Sequence, residues 1–198
     1  MEYLEGESLA DRLRRGPLPP DELLKCVVGT CDGLAMVHRS GLIHRDLKPG
    51  SIMLTNIGAK WLDFGLAKLS RAVSRSQGKL VGTFSYFSPE QLGGERADAC
   101  SNIFAFGAVV YEMATGVSPF PADDMKSFLL ATLGRVPASP VALNPQIPAG
   151  LEEIICKSLE KEREKRYQSA TEMLAGLRRV KAQFESLFPL PPTCHRFR

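Results

Sequence analysis

The segment from residue 103 to residue 113 constrains the fold most, because it leaves hardly any polar face for water. Small residues fill most positions between its large apolar side chains, which are Ile103, Phe104, Phe106, Val109, Val110 and Met113. A helix that is apolar nearly all round is buried in the centre of a domain. It is too short for a membrane span, which needs about 20 apolar residues. The sequence therefore predicts a helical domain packed around this segment.

Composition and charge narrow the class of protein. The chain has 198 residues, 44% apolar and 24% charged, as expected for one globular domain with a core. Its formal net charge of +3 is too small to indicate nucleic acid or an anionic membrane as a partner. Five cysteines without a C-x-x-C pair indicate neither a disulfide framework nor a zinc site, which favours a reducing compartment. Since the sequence shows no signal peptide or apolar span, we expect a cytoplasmic protein with no membrane segment in this chain.

Hydrophobic periodicity predicts the other elements. Ser8 is expected to cap a short helix that extends to Leu13, and a longer amphipathic helix begins near Pro19 and ends at Gly41. Two short strands around a turn at residues 56–58 form a predicted β-hairpin. Further helices are predicted at residues 124–133, 151–159 and 170–187, with a proline-rich connection at 137–148 and a polar loop at 66–88. The predicted fold class is mainly α with a small β-hairpin.

The segment from His44 to Ser51 reads H-R-D-L-K-P-G-S and resembles the catalytic loop of Ser/Thr protein kinases, H-R-D-L-K-P-x-N. The resemblance implies that Asp46 accepts the proton of the attacking hydroxyl and that Lys48 places a cation beside the transferring phosphoryl group. In the family, the last position carries an amide that binds magnesium. Ser51 is therefore either a weak magnesium ligand through its hydroxyl or a loop residue that leaves a second ion unbound.

A second motif, Asp63-Phe64-Gly65, resembles the kinase D-F-G, whose carboxylate binds the magnesium ion that bridges the nucleotide phosphates. Asp63 follows the second strand of the predicted hairpin, and Ser51 precedes the first. Both residues therefore stand at the open end of the hairpin, where two oxygen ligands separated by twelve positions can converge on one ion. The resemblance implies ATP and Mg²⁺ as cofactors.

The segment from Gly82 to Glu90 resembles G-T-x-x-Y-x-A-P-E, the end of the kinase activation segment, with Ser88 in place of the usual alanine. The resemblance implies that Thr83 hydrogen-bonds near Asp46 and Lys48, as the corresponding threonine does in Ser/Thr-directed kinases. Thr83 therefore joins the candidate catalytic residues.

Three more positions match the family. Arg45 is expected to receive a phosphorylated residue of the activation segment as its counter-charge. The candidates for that phosphorylation are Ser70, Ser74, Ser76, Thr83 and Ser85. Asn102 stands where the family has an acid that holds the backbone of the catalytic loop, and its amide oxygen can still accept a hydrogen bond, although without the charge. Arg166 matches an arginine that forms a buried ion pair with the glutamate at Glu90.

The matched motifs belong to the C-terminal helical lobe of a kinase and look bacterial in type. Neither a glycine-rich loop nor a V-A-I-K lysine occurs before His44. We interpret residues 1–188 as a truncated kinase domain, made of the hinge and the C-terminal lobe, and residues 189–198 as a disordered tail. The resemblance places Glu2 and Leu4 in the hinge that binds adenine, and Met53 as the floor beneath the ring. Binding of ATP and Mg²⁺ is therefore expected to depend on the missing N-terminal lobe.

The first functional hypothesis is a bacterial Ser/Thr kinase that, in its full-length form, transfers the γ-phosphoryl group of ATP to a Ser or Thr hydroxyl of a protein substrate. The isolated chain is expected to have little activity, because half of the phosphate clamp is absent. One alternative is a non-catalytic kinase-like module that binds another kinase or a regulatory domain, and another is a nucleotide sensor without transfer. Ser51, Asn102 and the missing N-terminal lobe favour the interaction module, and the sensor would use only the hinge and Asp63. The intact Asp46, Lys48 and Asp63 favour the kinase.

Overall fold

The structure of the protein is a computed structural model that describes residues 5–62 and 84–188. Within these residues the fold is mainly helical, with one small sheet. The elements in chain order are β1 (Gly6–Ser8), α1 (Leu9–Leu13), α2 (Pro20–Arg39), β2 (Ile52–Thr55), β3 (Gly58–Trp61), α3 (Pro89–Leu92), α4 (Ala99–Thr115), α5 (Met125–Gly134), α6 (Pro140–Leu143), α7 (Ala149–Ser158) and α8 (Ala170–Leu187). Two 3₁₀ turns, Pro49–Ser51 and Arg163–Lys165, lie between them. The predicted mainly helical fold is confirmed.

Helix α4 is the buried centre of the fold, as its sequence predicted. Every residue from Ser101 to Tyr111 is buried. The helix begins where the Asp98 carboxylate accepts a hydrogen bond from the amide of Ser101 at 2.8 Å. It ends at Gly116, whose φ of 78° is the left-handed conformation that favours glycine at a helix end. Helices α2 and α7 pack on α4, and α8 packs on α2 and α7.

The sheet has one strand more than the sequence predicted. The hairpin of β2 and β3 is confirmed, and β1 pairs with β2 to give the antiparallel order β1-β2-β3. A Cβ atom on Gly6 of β1 would clash with the carbonyl oxygen of Leu54, so only glycine permits this pairing. On the far strand, the indole Nε1 of Trp61 donates to the carbonyl of Thr30 in α2 at 2.8 Å. That bond fixes the sheet to the helical core.

The connections differ from prediction in one place. The proline-rich connection at 137–148 contains helix α6, which Ser139 caps by accepting a hydrogen bond from the amide of Ala142 at 3.1 Å. Most of the predicted polar loop at 66–88 and the predicted tail at 189–198 lie outside the described residues.

Two glycines inside helices give opposite expectations for alanine substitution. A Cβ atom at Gly107 in α4 would lie 2.6 Å from the Cβ atom of Ser158 in α7, whereas nothing lies within 4 Å of a Cβ atom at Gly29 in α2. We expect Gly107→Ala to lower the free energy of unfolding by about 1–3 kcal/mol through overpacking. Gly29→Ala should raise it by about 0.5–1 kcal/mol, because alanine is the better helix former. Urea denaturation of both variants measures the difference, and shifts of the same sign would contradict it.

Candidate active site

Buried and exposed residues alternate along the predicted catalytic loop. His44, Leu47, Pro49 and Ser51 are buried, whereas Asp46 is exposed. The Pro49–Ser51 turn packs on α1 and β1 and leads directly into β2. The candidate residue Asp46 therefore lies at the surface of a loop whose neighbouring residues are buried.

Asp46 and Lys48 form a direct ion pair at the surface of this loop. The Nζ of Lys48 lies 2.6 Å from Oδ2 of Asp46, and the two side chains are 31% and 53% exposed. An exposed pair of this kind contributes about 0–1 kcal/mol to stability. The pair therefore does little for the fold, and its carboxylate stays open to an incoming hydroxyl group.

Asn102 holds the backbone of the loop, as the family pattern implied. Its Oδ1 accepts a hydrogen bond from the amide of His44 at 2.9 Å, and its Nδ2 donates to the carbonyl of His44 at 2.8 Å. The predicted acceptor role is confirmed, and the donor role is an addition that an acid cannot supply. On the other side of the loop, Nε2 of His44 lies 3.2 Å from the carbonyl oxygen of Leu62. The first residue of the H-R-D motif is thus attached to both α4 and the sheet end.

The hydroxyl of Ser51 is turned into the loop itself. Its Oγ donates to the carbonyl of Lys48 at 2.7 Å and accepts from the amide of Lys48 at 3.1 Å, and the residue is 7% exposed. A hydroxyl engaged with backbone on both sides fits poorly as a metal ligand. Of the two interpretations of Ser51, this geometry favours the loop residue.

Of the five other predicted site residues, the structure describes only Met53. Met53 lies half-buried in the middle of β2, and the alternation of strand residues puts it on the opposite face from Ile52 and Leu54, which pack on the core. The four others, Glu2, Leu4, Asp63 and Thr83, lie outside the described residues. The amide of Leu62, the last residue before Asp63, donates to the carbonyl of Ser51 at 2.8 Å. Within the described ranges, no cluster of three or more His, Cys, Asp or Glu side chains is arranged to hold a metal ion.

The predicted ion pair between Glu90 and Arg166 is confirmed and is deeply buried. Two guanidinium nitrogens of Arg166 lie 2.8 and 2.9 Å from the two carboxylate oxygens of Glu90, and the residues are 2% and 7% exposed. The hydroxyl of Ser101 adds a third hydrogen bond to Glu90 at 2.7 Å. Burial raises the pKa of Glu90, but the hydrogen bonds from Arg166 and Ser101 outweigh it and lower the pKa to about 2.

A second contact attaches residues 84–92 to α4, and sequence reasoning missed it. The phenol of Tyr86 donates to a carboxylate oxygen of Glu112 at 2.6 Å. Burial raises the pKa of both groups, and the negative charge of Glu112 raises that of Tyr86 further. The sequence offered no signal for this bond, because the two residues are 26 positions apart and neither stands in a motif that pairs them. Ser88 also contributes, since its hydroxyl caps α3 by accepting from the amide of Gln91 at 3.4 Å.

Behind the ion pair, two cations flank a pair of stacked phenyl rings. The rings of Phe104 and Phe120 lie 6.0 Å apart and 5° from parallel. The guanidinium carbon of Arg166 is 4.9 Å from the centre of Phe104, and Nζ of Lys161 is 3.9 Å from the centre of Phe120. Nζ of Lys161 is buried and has no hydrogen-bond partner among the described residues. Burial, and secondarily the charge of Arg166, lowers the pKa of Lys161 to about 8.

This lowered pKa predicts that the protein becomes more stable above pH 8. In the unfolded chain Lys161 titrates near its ordinary value of 10.5, so the unfolded state binds more protons between pH 8 and 10.5. We expect the free energy of unfolding to gain roughly 1–2 kcal/mol across that range, less than the full shift implies, because solvent screens part of the side chain. Lys161→Met keeps the apolar stem without the charge and should flatten the profile. Equal slopes in the two proteins would contradict the assignment.

The contacts of Asn102 with His44 and of Arg166 with Glu90 are those that the kinase resemblance implied. The chain matches the protein kinase domain over residues 1–176, and it belongs to that family. The predicted resemblance to bacterial Ser/Thr kinases is confirmed by individual relatives. The chain is 38% identical over 184 residues to the serine/threonine-protein kinase PknB of Mycobacterium leprae, covering 91% of this chain and 30% of that protein.

Two further relatives show the same pattern. The serine/threonine-protein kinase PknA of Corynebacterium glutamicum is 38% identical over 188 residues, which are 91% of this chain and 39% of the relative. A probable serine/threonine-protein kinase, CPE1738, of Clostridium perfringens is 35% identical over 184 residues, which are 91% of this chain and 27% of the relative. The chain thus spans about a third of the length of the curated relatives it matches. No helix in the described parts of the chain is long and apolar enough to cross a membrane.

Proposed function

We propose that the protein is a Ser/Thr kinase that transfers the γ-phosphoryl group of ATP to a Ser or Thr hydroxyl of a protein substrate. The observation that carries this proposal is the exposed Asp46 carboxylate, paired with Lys48 at 2.6 Å, on a loop fixed by buried neighbours. A carboxylate accepts the proton of a hydroxyl that attacks phosphorus, and an ammonium group beside it offsets the charge of the phosphoryl group.

In this reaction the substrate oxygen forms a bond to the γ-phosphorus while the bond from that phosphorus to the bridging oxygen breaks, and the hydroxyl proton passes to Asp46. Lys48 is well suited to the anionic phosphoryl group, because its ammonium stands at the surface beside the carboxylate. Mg²⁺, when bound, neutralises charge on the phosphate oxygens. We assign Asp63 as its ligand and, from the geometry of its hydroxyl, give Ser51 only the role of a loop residue.

We infer that the adenine ring lies over Met53 and against the backbone of residues 2–4. The outward face of β2 supports this placement, since Met53 projects away from the side chains that pack on the core. Thr83 is proposed to join Asp46 and Lys48 when the substrate binds. The protein acts in the cytoplasm in this proposal. The 198-residue chain alone turns over slowly, because residues 1–43 contain neither a glycine-rich phosphate loop nor a V-A-I-K motif.

The alternative is a non-catalytic kinase-like module that binds another kinase or a regulatory domain. The engaged hydroxyl of Ser51 favours it, because the residue at this position does not offer a free metal ligand. In that case the ion pair of Asp46 and Lys48 would be only a surface feature.

The deciding experiment measures transfer of labelled γ-phosphate to a protein substrate. The 198-residue chain and the longest reading frame that contains it are assayed with ATP, with and without Mg²⁺. The kinase proposal expects Mg²⁺-dependent Ser/Thr labelling by the longer product and little by the chain alone. An inactive longer product would support the interaction module. Fast turnover by the 198-residue chain alone would refute the prediction that this chain has little activity. A nucleotide sensor would show thermal stabilisation by ATP and Mg²⁺ without any transfer.

A further inference from the structure

The backbone of His44 dictates how the amide of Asn102 is oriented. The backbone N–H of His44 can only donate, so the atom 2.9 Å from it must be the amide oxygen. The carbonyl of His44 can only accept, so the atom 2.8 Å from it must be the amide nitrogen. Both ends of one side chain are therefore committed to a single residue of the catalytic loop.

This orientation in turn fixes the tautomer of His38 near the end of α2. The Nε2 of His38 lies 3.1 Å from the same Oδ1 of Asn102. Since an amide oxygen only accepts, Nε2 must carry the hydrogen. The second lone pair of Oδ1 is thereby occupied, and the amide of Asn102 is hydrogen-bonded to α2 as well as to the catalytic loop.

The surroundings of Nδ1, the other ring nitrogen of His38, favour an uncharged imidazole. Nδ1 is buried and has no hydrogen-bond partner among the described residues. A proton on Nδ1 would need an acceptor that this surrounding does not supply. Burial lowers the pKa of His38, while the hydrogen bond to Asn102 and the charge of Asp98 act in the opposite direction and more weakly.

We propose that His38 is a positioning residue, which forms with Asn102 an uncharged clamp that sets the backbone of the catalytic loop at His44. The clamp is defined as the two side chains of His38 and Asn102. It goes beyond the proposed kinase activity, since it concerns the geometry of the loop whether or not the chain transfers phosphate.

The clamp explains why an amide suits position 102 in this chain. A carboxylate there accepts from the amide of His44 but cannot donate to the carbonyl of His44, so one of the two bonds is lost. A carboxylate also favours protonation of His38, which places a second N–H at Nδ1 without an acceptor. Asn102 and a neutral His38 therefore fit together as one unit, and the amide is a matched replacement for an acid.

The first test reads the tautomer of the intact 198-residue chain by long-range ¹H–¹⁵N NMR of its imidazoles. We expect His38 to be the Nε2–H tautomer and to protonate below about pH 6.5, the value for a free imidazole. A hydrogen on Nδ1, or ordinary titration near pH 6.5, would overturn the proposal. This measurement needs no variant and so does not depend on how substitutions fold.

The second test compares His38→Gln with His38→Leu by hydrogen exchange. Glutamine can place an N–H near the position of Nε2, whereas leucine has no donor. We expect the amide of His44 to exchange about five- to tenfold faster in His38→Leu and close to the unmodified rate in His38→Gln. The amide of Leu177 in α8 should exchange equally in all three proteins. Equal acceleration in both variants, or equal acceleration at Leu177, would show a merely structural role and refute the clamp.

A third variant, Asn102→Asp, tests the charge argument. We expect the NMR protonation midpoint of His38 to rise above that of the unmodified chain, and the amide of His44 to keep its protection while the carbonyl bond is lost. An unchanged midpoint would mean that residue 102 does not govern the state of His38. None of these measurements depends on phosphoryl transfer, so failure of the clamp and failure of the proposed function are separate outcomes.

Discussion

Arg166→Ala is expected to lower the free energy of unfolding by about 3–5 kcal/mol, because it leaves the Glu90 carboxylate buried without its partner. Arg166 is 2% exposed and also donates to the carbonyls of Glu160, Lys161 and Cys100 at 2.7, 3.0 and 3.2 Å. Its removal therefore frees one charge and three backbone acceptors in a place that water hardly reaches. Urea denaturation at neutral pH measures the loss.

Arg163→Ala is the matched control. Arg163 carries the same charge near the same carboxylate, at 3.7 Å from Glu90, and it also pairs with Glu95 and Asp98 at 3.2 Å each. Its side chain is 33% exposed, so its pairs are partly screened and should contribute about 1 kcal/mol or less. If the two substitutions cost the same, burial is not what makes the ion pair strong.

Low pH should weaken the ion pair of Glu90 and Arg166 over a defined pH range. The pKa of Glu90 is lowered in the folded state from 4.5 to about 2, so its contribution is fully present above pH 4.5 and is lost as the pH falls toward 2. We expect this loss to be about 2–3 kcal/mol, and Arg166→Ala should show a much smaller acid dependence between these values. A variant with an unchanged acid profile would assign the dependence to other carboxylates.

Asp46→Asn is expected to reduce phosphoryl transfer by about 10²–10⁴-fold while leaving stability nearly unchanged. An amide keeps the shape and can still accept a hydrogen bond from Lys48, but it cannot take the proton of the attacking hydroxyl. The side chain of Asp46 is 53% exposed, so its ion pair with Lys48 contributes little to the fold. Labelled phosphate transfer by the longest active form of the protein measures the rate, and urea denaturation of the chain measures stability.

Asp11→Asn is the control for a general effect of charge. Asp11 is also 53% exposed and pairs with Arg14 at 3.0 Å, but its side chain contacts Arg14 and Ser8 rather than Asp46 or Lys48. We expect full activity in this variant. Comparable losses in the two variants, or an Asp46→Asn protein that keeps most of its activity, would remove Asp46 from the proposed reaction.

Sequence periodicity predicted the long helices, and it missed strand β1 and the short helix α6. α4 was predicted from a run with no polar face, and its burial follows from that run alone. Strand β1 was missed because Gly6, Glu7 and Ser8 have neither an apolar alternation nor β-branched side chains, and the strand exists through its bonds to β2. Helix α6 was missed inside a proline-rich connection, where Pro140 begins rather than breaks it.

The candidate site shows the same limit. The motifs predicted that Asn102 and Arg166 hold the loop and Glu90, and both contacts are present. The donor bond from Asn102 to the carbonyl of His44 was not predictable, since it depends on how the backbone of His44 faces α4. The hydrogen bond from Ser101 to Glu90 was missed for the same reason. The number of residues between a helix and a motif does not tell which side chain of the helix faces a given carboxylate.

The ion pair of Glu90 and Arg166 joins residues 76 positions apart in the chain. A contact of that span closes a long loop, and its entropic cost must be met before the contact gives any stability. We therefore expect such a contact to form late in folding. Substitution of Arg166 should therefore speed unfolding while leaving the refolding rate nearly unchanged, so this pair governs how long the native state lasts rather than how quickly it forms.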